Sequence, residues 1–391
     1  MPERDRASPL ATSCRRSGLV TLMNTSNNNT RPSPHPLACL GFGPHVEHAR
    51  LQAPDNDDTD VSRVVRVNAD GCTLWGTSGE VHAHTPKRVR RKASPVVGDW
   101  VLTRTQRGAL SIQSVLPRFT ALTRRAANTT HRGQVLAANV DLVLVCMGLD
   151  RDFRLPRLER WLSLVHAGGA QPLVVLTKAG LLDGEEREAR LAAVRDVALG
   201  VPVIVLDVLE GIGCDELDGL LQQASDWSPT VALVGSSGVG KSTLLNHLSG
   251  GEAMRTGVTS DAHGKGRHTT SHRELFEVPG RRLLIIDTPG LREVGLWGDA
   301  AGVEQTFADL VERARDCRFG DCRHDGEPHC AVAAGIERGE LDRRRVDSWL
   351  GLRDEQRGTA HQLVEHERRA HERKFSKLIR ATMRAKRGRK R

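Results

Sequence analysis

Apolar residues in the central part of the chain fall in short continuous runs that are separated by stretches of helical character. The runs predict buried strands at Val140–Met147, Pro172–Leu176, Val203–Leu206, Thr230–Val234 and Leu283–Ile286. The stretches between them predict helices at Leu155–His166, Glu185–Leu199, Asp215–Ala224 and Lys241–Leu248. Continuous Val/Ile/Leu strands between helices are typical of a parallel sheet that is covered on both faces. This part of the chain therefore predicts an α/β domain.

A different pattern precedes this domain. Val61–Val67 alternates apolar and polar residues, as a half-buried strand does. Four more short strands, separated by glycines, are predicted at Cys72–Gly76, Glu80–His84, Asp99–Thr103 and Leu110–Val115. Five short strands in so few residues favour a small barrel of the OB kind, which often binds nucleic acid. A basic loop at Lys87–Lys92 is a candidate phosphate contact, or else an ordinary solvated loop.

The two ends of the chain lack this regularity. Residues 1–60 hold seven of the 17 prolines and show no apolar period, so they predict a disordered extension. After Gly290 the strands stop, and a long polar helix is predicted at about Asp354–Met383. No run of 18 apolar residues occurs, which argues against a membrane span, and the first residues do not resemble a secretion signal.

Charge is concentrated near the C-terminus. The chain of 391 residues has a formal net charge of +9. Residues 341–391 hold 17 Lys or Arg and 7 Asp or Glu, a balance of +10, whereas the other 340 residues hold 40 and 41, a balance of −1. Such a localised excess favours a polyanionic partner, with nucleic acid as the first candidate. A solvated basic tail without a partner is the alternative at this point.

A phosphate-binding loop follows the strand Thr230–Val234. The next residues read GSSGVGKST and lead into a predicted helix, which is the GxxxxGK[ST] pattern in its strand–loop–helix setting. Lys241 is expected to reach the β- and γ-phosphates as a catalytic group, and Ser242 is expected to ligate Mg²⁺. The predicted nucleotide-binding residues here are Gly235, Ser236, Ser237, Gly238, Val239, Gly240, Lys241, Ser242 and Thr243.

A second acidic element and a switch-like loop complete the predicted phosphate site. The strand that ends in Asp287-Thr-Pro-Gly290 is typical of P-loop GTPases, where the Asp holds Mg²⁺ through water and the Gly N–H contacts the γ-phosphate. Between the two motifs lies a polar loop that ends in His268, Thr269 and Thr270. Either threonine would be the further Mg²⁺ ligand. His268 is the candidate for orienting water, because Leu291 stands where Ras-like enzymes carry the water-positioning Gln.

The only candidate for a base-reading motif of the [NT]KxD kind is Thr177-Lys178-Ala179-Gly180, which lies upstream of the phosphate loop. The order of the motifs is therefore rotated relative to an ordinary GTPase. The position that should carry the guanine-binding Asp is Gly180, which puts guanine selectivity in question. Asp183 lies three residues further on, and Asp207, which follows the next predicted strand, is an alternative carboxylate near the base.

Three cysteines and a histidine near the C-terminus form a candidate zinc site. Their spacing is Cys317-x4-Cys322-x-His324-x5-Cys330, which supplies three thiolates and one imidazole. This donor set suits tetrahedral Zn²⁺, with reduced cysteines beside an unrelated histidine as the alternative. His329 competes with His324, but it adjoins Cys330 and would crowd the same coordination sphere.

With these motifs in this order, the chain resembles the circularly permuted, ribosome-small-subunit-dependent GTPases of the RsgA (YjeQ) family over about residues 61–352. The motifs that carry the resemblance are VGDWV at 97–101, ANVDLVLV at 138–145, GSSGVGKST at 235–243, GRHTT at 266–270, DTPGLREVGLW at 287–297, and CRFGDCRH with EPHCAV within 317–332. The resemblance implies a permuted P-loop GTPase domain preceded by an OB-fold barrel and followed by a helical zinc-binding domain. The expected ranges are an extension at 1–60, the barrel at 61–118, the GTPase domain at 119–298, the zinc domain at 299–352, and a basic helix and tail at 353–391.

The resemblance also implies a function. The expected activity is GTP hydrolysis that the 30S ribosomal subunit stimulates late in its own maturation, with one structural Zn²⁺ and with Mg²⁺ bound alongside GTP. The expected partners are the 30S subunit, its 16S rRNA and GTP or GDP, for a cytoplasmic, monomeric protein that binds no membrane. Two alternatives stay open: an rRNA-binding assembly factor with little or non-selective nucleotide hydrolysis, and an enzyme that uses ATP.

Overall fold

The computed structural model describes residues 35–54, 58–106, 108–125, 133–222, 226–250, 273–287 and 300–358, together with Arg368. Within these ranges the chain forms a small β-barrel, a mixed sheet with helices on both faces, and a C-terminal helical unit. No described helix combines the length and the apolar character that crossing a lipid bilayer requires.

Five strands close into the barrel that the alternating pattern predicts. The barrel strands are β1 Asp60–Val67, β2 Gly71–Gly76, β3 Gly79–His84, β4 Trp100–Gln106 and β5 Ala109–Val115. They pair in the order β1-β2-β3-β5-β4, and β4 pairs back onto β1. Inward-facing apolar side chains such as Val64, Leu74 and Ile112 fill the interior. The basic segment Lys87–Lys92, predicted as a loop, is instead a short helix (α2) that Val89 anchors in the barrel core.

The expectation of disorder throughout residues 1–60 is wrong for the described part of that range. Residues Ala38–Leu40 form a 3₁₀ turn, and Pro44–Leu51 form helix α1 with proline in its first turn. Leu37, Leu40 and Phe42 are buried against the barrel. The high proline and polar content of the range hides these few apolar residues, which gain enough burial on the barrel surface to order the segment.

Six strands form the central sheet: β8 Leu142–Gly148, β9 Gln171–Thr177, β10 Val203–Val205, β11 Thr230–Gly235, β12 Glu274–Glu277 and β13 Leu284–Asp287. Their order across the sheet is β10-β9-β8-β11-β13-β12. All neighbours are parallel except β12, which runs antiparallel to β13 at the edge. A separate hairpin of β6 Ala121–Arg125 and β7 Gly133–Ala138 joins barrel to sheet along the chain. Arg66 of β1 also pairs with Glu274 of β12, so the barrel adjoins the sheet edge.

Helices cover both faces of this sheet, as the sequence predicts. They are α3 Leu155–Ala167, α4 Gly184–Val197, α5 Cys214–Leu221 and α6 Lys241–Leu248. One core lies under α3 and α4, and a second lies under α5 and α6. The carboxyl ends of the parallel strands β8, β9, β10 and β11 therefore meet at one edge, where ligands of doubly wound sheets bind.

The C-terminal helical unit shares the first of these cores. Its helices are α7 Ala300–Thr306, α8 Ala308–Ala314, α9 Ala331–Glu337 and a helix over residues 343–358, which begins earlier than the expected Asp354. Phe307, Val332 and Trp349 are buried in the cluster that contains the α3 side of the sheet. Gly302 allows α7 to lie directly on α3, because a Cβ there would overlap the backbone of Ser163 and Ala167.

Candidate functional site

The phosphate loop lies at the carboxyl edge of the sheet, between the buried strand β11 and helix α6. Gly235 ends the strand with φ of +143°, and a Cβ there would overlap the carbonyl oxygen of Cys146 on the neighbouring strand. Val239 is buried under the loop, whereas Ser237 and Gly238 are exposed. The backbone thus turns back on itself directly before a helix N-terminus, where N–H groups and the helix dipole favour an anion.

Lys241 closes the loop in this structure. Its Nζ donates to the carbonyl oxygen of Gly235 at 2.8 Å and also to that of Ser236. The side chain is half-buried, while Ser242 and Thr243 are exposed at the start of α6. The ammonium group therefore lies over the concave side of the loop, within reach of a phosphate bound there.

The candidate base-reading segment lies against the phosphate loop, although it comes earlier in the chain. The Thr177 hydroxyl at the end of β9 donates to the carbonyl of Val239 at 2.6 Å. Lys178 follows in the left-handed region with φ of 61°, and its Nζ donates to Asp150 Oδ2 at 2.6 Å. Ala179 is buried and Gly180 is exposed. The rotated order of the motifs is thus compatible with one compact site.

The two carboxylates considered in place of Gly180, those of Asp183 and Asp207, have different surroundings. Asp183 is the N-cap of α4 and accepts from the Glu186 N–H at 2.8 Å, so its carboxylate is committed to the helix end. Asp207 follows β10, and its Oδ2 accepts from the Gly180 N–H at 3.0 Å. The structure therefore places Asp207, and not Asp183, beside the position where the motif lacks its carboxylate.

The remaining predicted phosphate-site residues are only partly described. Asp287 ends β13, the strand next to β11, at the same edge of the sheet. Gly290, His268, Thr269 and Thr270 lie outside the described residues.

Two side chains that the motifs do not include also contact the site. Arg157, in the first turn of α3, donates to Ser236 Oγ at 2.6 Å and pairs with Asp152. Asp150, after β8, binds Lys178 as described above. Both follow the carboxyl end of β8, and only the prediction that β8 is a central parallel strand could have pointed to them. No local motif marks either residue.

The predicted zinc residues come together in the C-terminal unit. The ligand atoms of Cys317, Cys322, His324 and Cys330 all lie within 4.8 Å of one another. His324 Nδ1 is 3.6 Å from the sulfurs of both Cys317 and Cys330, and those two sulfurs are 4.0 Å apart. A tetrahedral ion with Zn–S of about 2.3 Å and Zn–N of about 2.0 Å would leave similar separations. The group can therefore bind a metal ion, and His329 is not part of it.

The surroundings of the cluster orient these ligands. Cys330 is the N-cap of α9, where its sulfur accepts from the Ala333 N–H at 3.3 Å. Glu327 accepts from the N–H groups of Arg323 and Asp325, both at 2.8 Å. The backbone N–H of Arg323 is the main reason that the pKa of Glu327 is lowered to about 2. The ionised carboxylate thus holds the turn that carries His324.

Comparison with known proteins shows the family to which the chain belongs. A family model described as RsgA GTPase matches residues 115–297. A relative from Syntrophotalea carbinolica, named "Small ribosomal subunit biogenesis GTPase RsgA", is 43% identical over 330 residues, which cover 81% of this chain and 88% of the relative. A relative from Vibrio parahaemolyticus, named "Small ribosomal subunit biogenesis GTPase RsgA 2", is 37% identical over 94% of this chain and 96% of its own length. The chain belongs to the RsgA GTPase family.

Solved structures support the same fold. YjeQ from Thermotoga maritima matches with a TM-score of 0.56 and 22% identity, over 75% of this chain and 97% of that one. YloQ, described as a circularly permuted GTPase, matches with a TM-score of 0.53 and 23% identity, over 77% of this chain and 96% of its own. The predictions of the family, of a permuted GTPase fold with a barrel and a helical metal-binding unit, and of a GTP-hydrolysing enzyme are therefore confirmed.

Proposed function

We propose that this protein hydrolyses GTP during late assembly of the small ribosomal subunit, and that the subunit stimulates the reaction. The relatives named as small-ribosomal-subunit biogenesis GTPases support the role. The observation that carries the proposal is the hydrogen bond from Thr177 to Val239, because it joins the base-reading segment and the phosphate loop into one nucleotide site. The alternative of a binding module without hydrolysis is not favoured, since the relatives are named GTPases and the phosphate loop here keeps its lysine, Lys241.

The nucleotide is held from two sides. The backbone N–H groups of 235–240 and the N-terminus of α6 bind the phosphates, with a further N–H from Gly290. Lys241 exchanges its bonds with the loop carbonyls for bonds to the β- and γ-phosphates and so neutralises charge there. The base lies against Thr177–Gly180, where the buried Ala179 supplies an apolar surface.

The site also suits Mg²⁺. The exposed Ser242 hydroxyl begins α6, and Asp287 ends the neighbouring strand β13, so oxygen ligands of the kind that Mg²⁺ prefers come from adjacent elements. Thr269 or Thr270 completes the ligand set. Mg²⁺, when bound, neutralises charge that develops on the phosphate oxygens.

Hydrolysis by the protein alone is slow. Leu291 cannot orient water as a glutamine does, so we assign that task to His268 and assign further transition-state stabilisation to the ribosomal partner.

Zn²⁺ has a structural role in this proposal. The closed Cys₃His set of Cys317, Cys322, His324 and Cys330 leaves no open position for chemistry, which is typical of structural zinc. The unit at 299–352 is the zinc domain, next to the GTPase domain at 119–298.

We also propose that 16S rRNA is bound by the barrel at 61–118, the zinc domain and the basic segment at 353–391. The arginines and lysines of α2 (Lys87–Lys92) supply cationic side chains on the barrel. The protein works as a cytoplasmic monomer without a membrane partner.

The test is phosphate release from GTP and from ATP, each with and without 30S subunits. Wild-type protein should release phosphate from GTP slowly alone and faster with subunits, and Lys241→Ala should lose at least about 100-fold of the stimulated rate, since transition-state charge is left unneutralised. Arg195→Ala, an exposed residue of α4, is the control and should retain the wild-type rate. Stimulated turnover that survives in Lys241→Ala would refute the site.

A further inference from the structure

The position that lacks the expected guanine-reading carboxylate is filled from a neighbouring loop. A Cβ placed on Gly180 would lie 3.1 Å from Asp207 Oδ2, so the Asp207 carboxylate occupies the space that a side chain at 180 would take. Asp207 follows β10, which is parallel to and paired with β9, the strand that leads into Thr177–Gly180. Because β9 and β10 end side by side, the segment after β10 places the Asp207 carboxylate next to Gly180.

Three backbone N–H groups fix the Asp207 carboxylate. Oδ2 accepts from Gly180 at 3.0 Å, and Oδ1 accepts from Leu209 at 3.1 Å and from Glu210 at 3.3 Å. These three hydrogen bonds leave the Asp207 carboxylate little freedom to move. A carboxylate offers about four acceptor positions, so one more donor can be accepted.

We propose that Asp207 is the residue that selects guanine, by accepting the guanine N1–H in the acceptor position that the backbone leaves open. This rests on the proposed nucleotide site, since the base must lie against Thr177–Gly180. Adenine presents an unprotonated N1 there, whose lone pair would face a carboxylate. The three N–H donors and the guanine N1–H leave the Asp207 carboxylate no further acceptor position for the 2-amino group, so hypoxanthine, which keeps N1–H and lacks that amino group, is accepted nearly as well.

A second carboxylate lies close enough to require a control. The Glu210 Cγ would be 3.2 Å from a Cβ on Gly180. Glu210 is exposed on the turn after β10, whereas Asp207 is half-buried and held by the three N–H groups. Asp207 is therefore the better hydrogen-bond acceptor for the base, because a preorganised acceptor loses less conformational freedom when the base binds.

The experiment measures dissociation constants of full-length protein for GDP, IDP and ADP. Wild type should bind GDP and IDP within about 5-fold of each other and ADP roughly 30-fold more weakly, which is about 2 kcal/mol for a hydrogen bond to a charged group at 1.4 kcal/mol per tenfold change. Asp207→Asn should bring the GDP and ADP constants within about 3-fold, mainly by weakening GDP. Glu210→Gln and Glu216→Gln, an exposed acid on α5, should keep the wild-type ratio.

Moving the carboxylate from position 207 to position 180 tests whether Asp207 recognises the base or only stabilises the loop. Gly180→Asp alone should weaken GDP binding, because its carboxylate would crowd that of Asp207. Gly180→Asp combined with Asp207→Ser moves one carboxylate across the contact and should restore a GDP preference of at least about 10-fold. If Asp207 supported only the loop, Asp207→Asn would weaken GDP and ADP equally, and the double variant would not recover selectivity.

The outcomes distinguish this inference from the nucleotide site on which it rests. One outcome is that Lys241→Ala weakens GDP binding while Asp207→Asn keeps the wild-type GDP-to-ADP ratio. That outcome would overturn the assignment of Asp207 and leave the nucleotide site standing. Loss of the ratio in Glu210→Gln and not in Asp207→Asn would transfer the role to Glu210. Equal binding of GDP by wild type and Lys241→Ala would overturn both.

Discussion

The guanidinium of Arg345 donates a 3.0 Å hydrogen bond to the carboxylate of Glu159, a side chain with 0% exposure. Glu159 belongs to α3, the helix whose first turn contacts the phosphate loop, and Arg345 belongs to the helix over 343–358. Arg345 also pairs with Asp309 at 2.8 Å. A buried ionic network thus joins the GTPase sheet to the metal-binding unit, so the two cannot separate without exposing or unpairing buried charge.

Removing one member of this network should therefore be costly. Arg345→Met should lower the free energy of unfolding by about 3–5 kcal/mol, because it leaves the Glu159 carboxylate buried with weaker compensation. Arg343→Met removes an exposed pair with Asp347 and should change it by less than about 1 kcal/mol. Urea unfolding followed by tryptophan fluorescence measures both, and equal losses would show that burial of the pair is unimportant.

The contact between Thr177 and Val239 should be measurable in nucleotide binding. Thr177→Val keeps the shape of the side chain and removes the donor, so the two halves of the site lose one bond of about 1 kcal/mol. GDP and ADP should both bind roughly 5-fold more weakly in titration calorimetry, with their ratio unchanged. Thr105→Val, on an exposed part of β4, serves as the control. A change in the ratio alone would contradict a joining role.

The parts of this molecule that the sequence predicts well are those with a strong local signal. Strands such as β8 and β11 are buried on both faces, so continuous apolar runs mark them clearly. The phosphate loop and the Cys₃His group are encoded in short spans, because the loop supplies its N–H groups from consecutive residues and the metal ligands all lie between Cys317 and Cys330. Rotation of the motif order does not obscure them, since each motif folds locally.

What the sequence does not predict depends on contacts between distant segments. Strand β12 has four residues, too few for a clear period, and is defined by pairing with β13. The ordered segment around Phe42 depends on burial against Trp100, with ring centroids 5.3 Å apart. The proximity of Asp207 to Gly180 follows from the pairing of β9 and β10, which the spacing of residues along the chain cannot show.

The Cys₃His group leads to a prediction about zinc content and thermal stability. Cys322→Ser removes a thiolate ligand, so bound zinc should fall from about one per chain to a small fraction, and the C-terminal unit should unfold at a lower temperature. Nucleotide binding should persist, because the phosphate loop lies on the sheet. Elemental analysis and thermal unfolding measure these effects. Cys214→Ser, a half-buried cysteine outside the cluster, should keep its zinc, and zinc retention in Cys322→Ser would exclude that ligand.

The lowered pKa of His45 predicts that the folded state loses stability in mild acid. Its ring lies 3.8 Å from that of Phe119, and burial, aided by the charge of Arg63, lowers its pKa from 6.5 to about 4. Well above pH 6.5 the His45 ring is neutral in both the folded and the unfolded state, so it causes no loss of folding stability there. As pH falls from 6.5 to about 4, only the unfolded state takes up the proton, and up to about 3 kcal/mol is lost.

The experiment compares the pH dependence of urea unfolding between variants. His45→Phe should have a smaller loss of stability between pH 6.5 and 4 than wild type, whereas His84→Phe, at an exposed position, should follow wild type. His166, whose pKa burial also lowers to about 4, keeps part of the acid sensitivity in every variant. Identical pH profiles for His45→Phe and wild type would show that His45 does not contribute.

The basic end of the chain predicts a salt-dependent contribution to ribosome binding. Residues 381–391 contain six Lys or Arg and no Asp or Glu. Each phosphate that they neutralise releases counterions, so deletion should lower affinity for 30S subunits and flatten the dependence of log K on log salt by as much as about 4. Basal GTP hydrolysis should not change, because the phosphate loop and its partners lie elsewhere in the chain. A full-length variant with these six residues changed to Gln separates charge from length and should behave like the truncation. If both variants bound 30S subunits with wild-type affinity and wild-type salt slope, the tail would be a solvated segment with no role in binding.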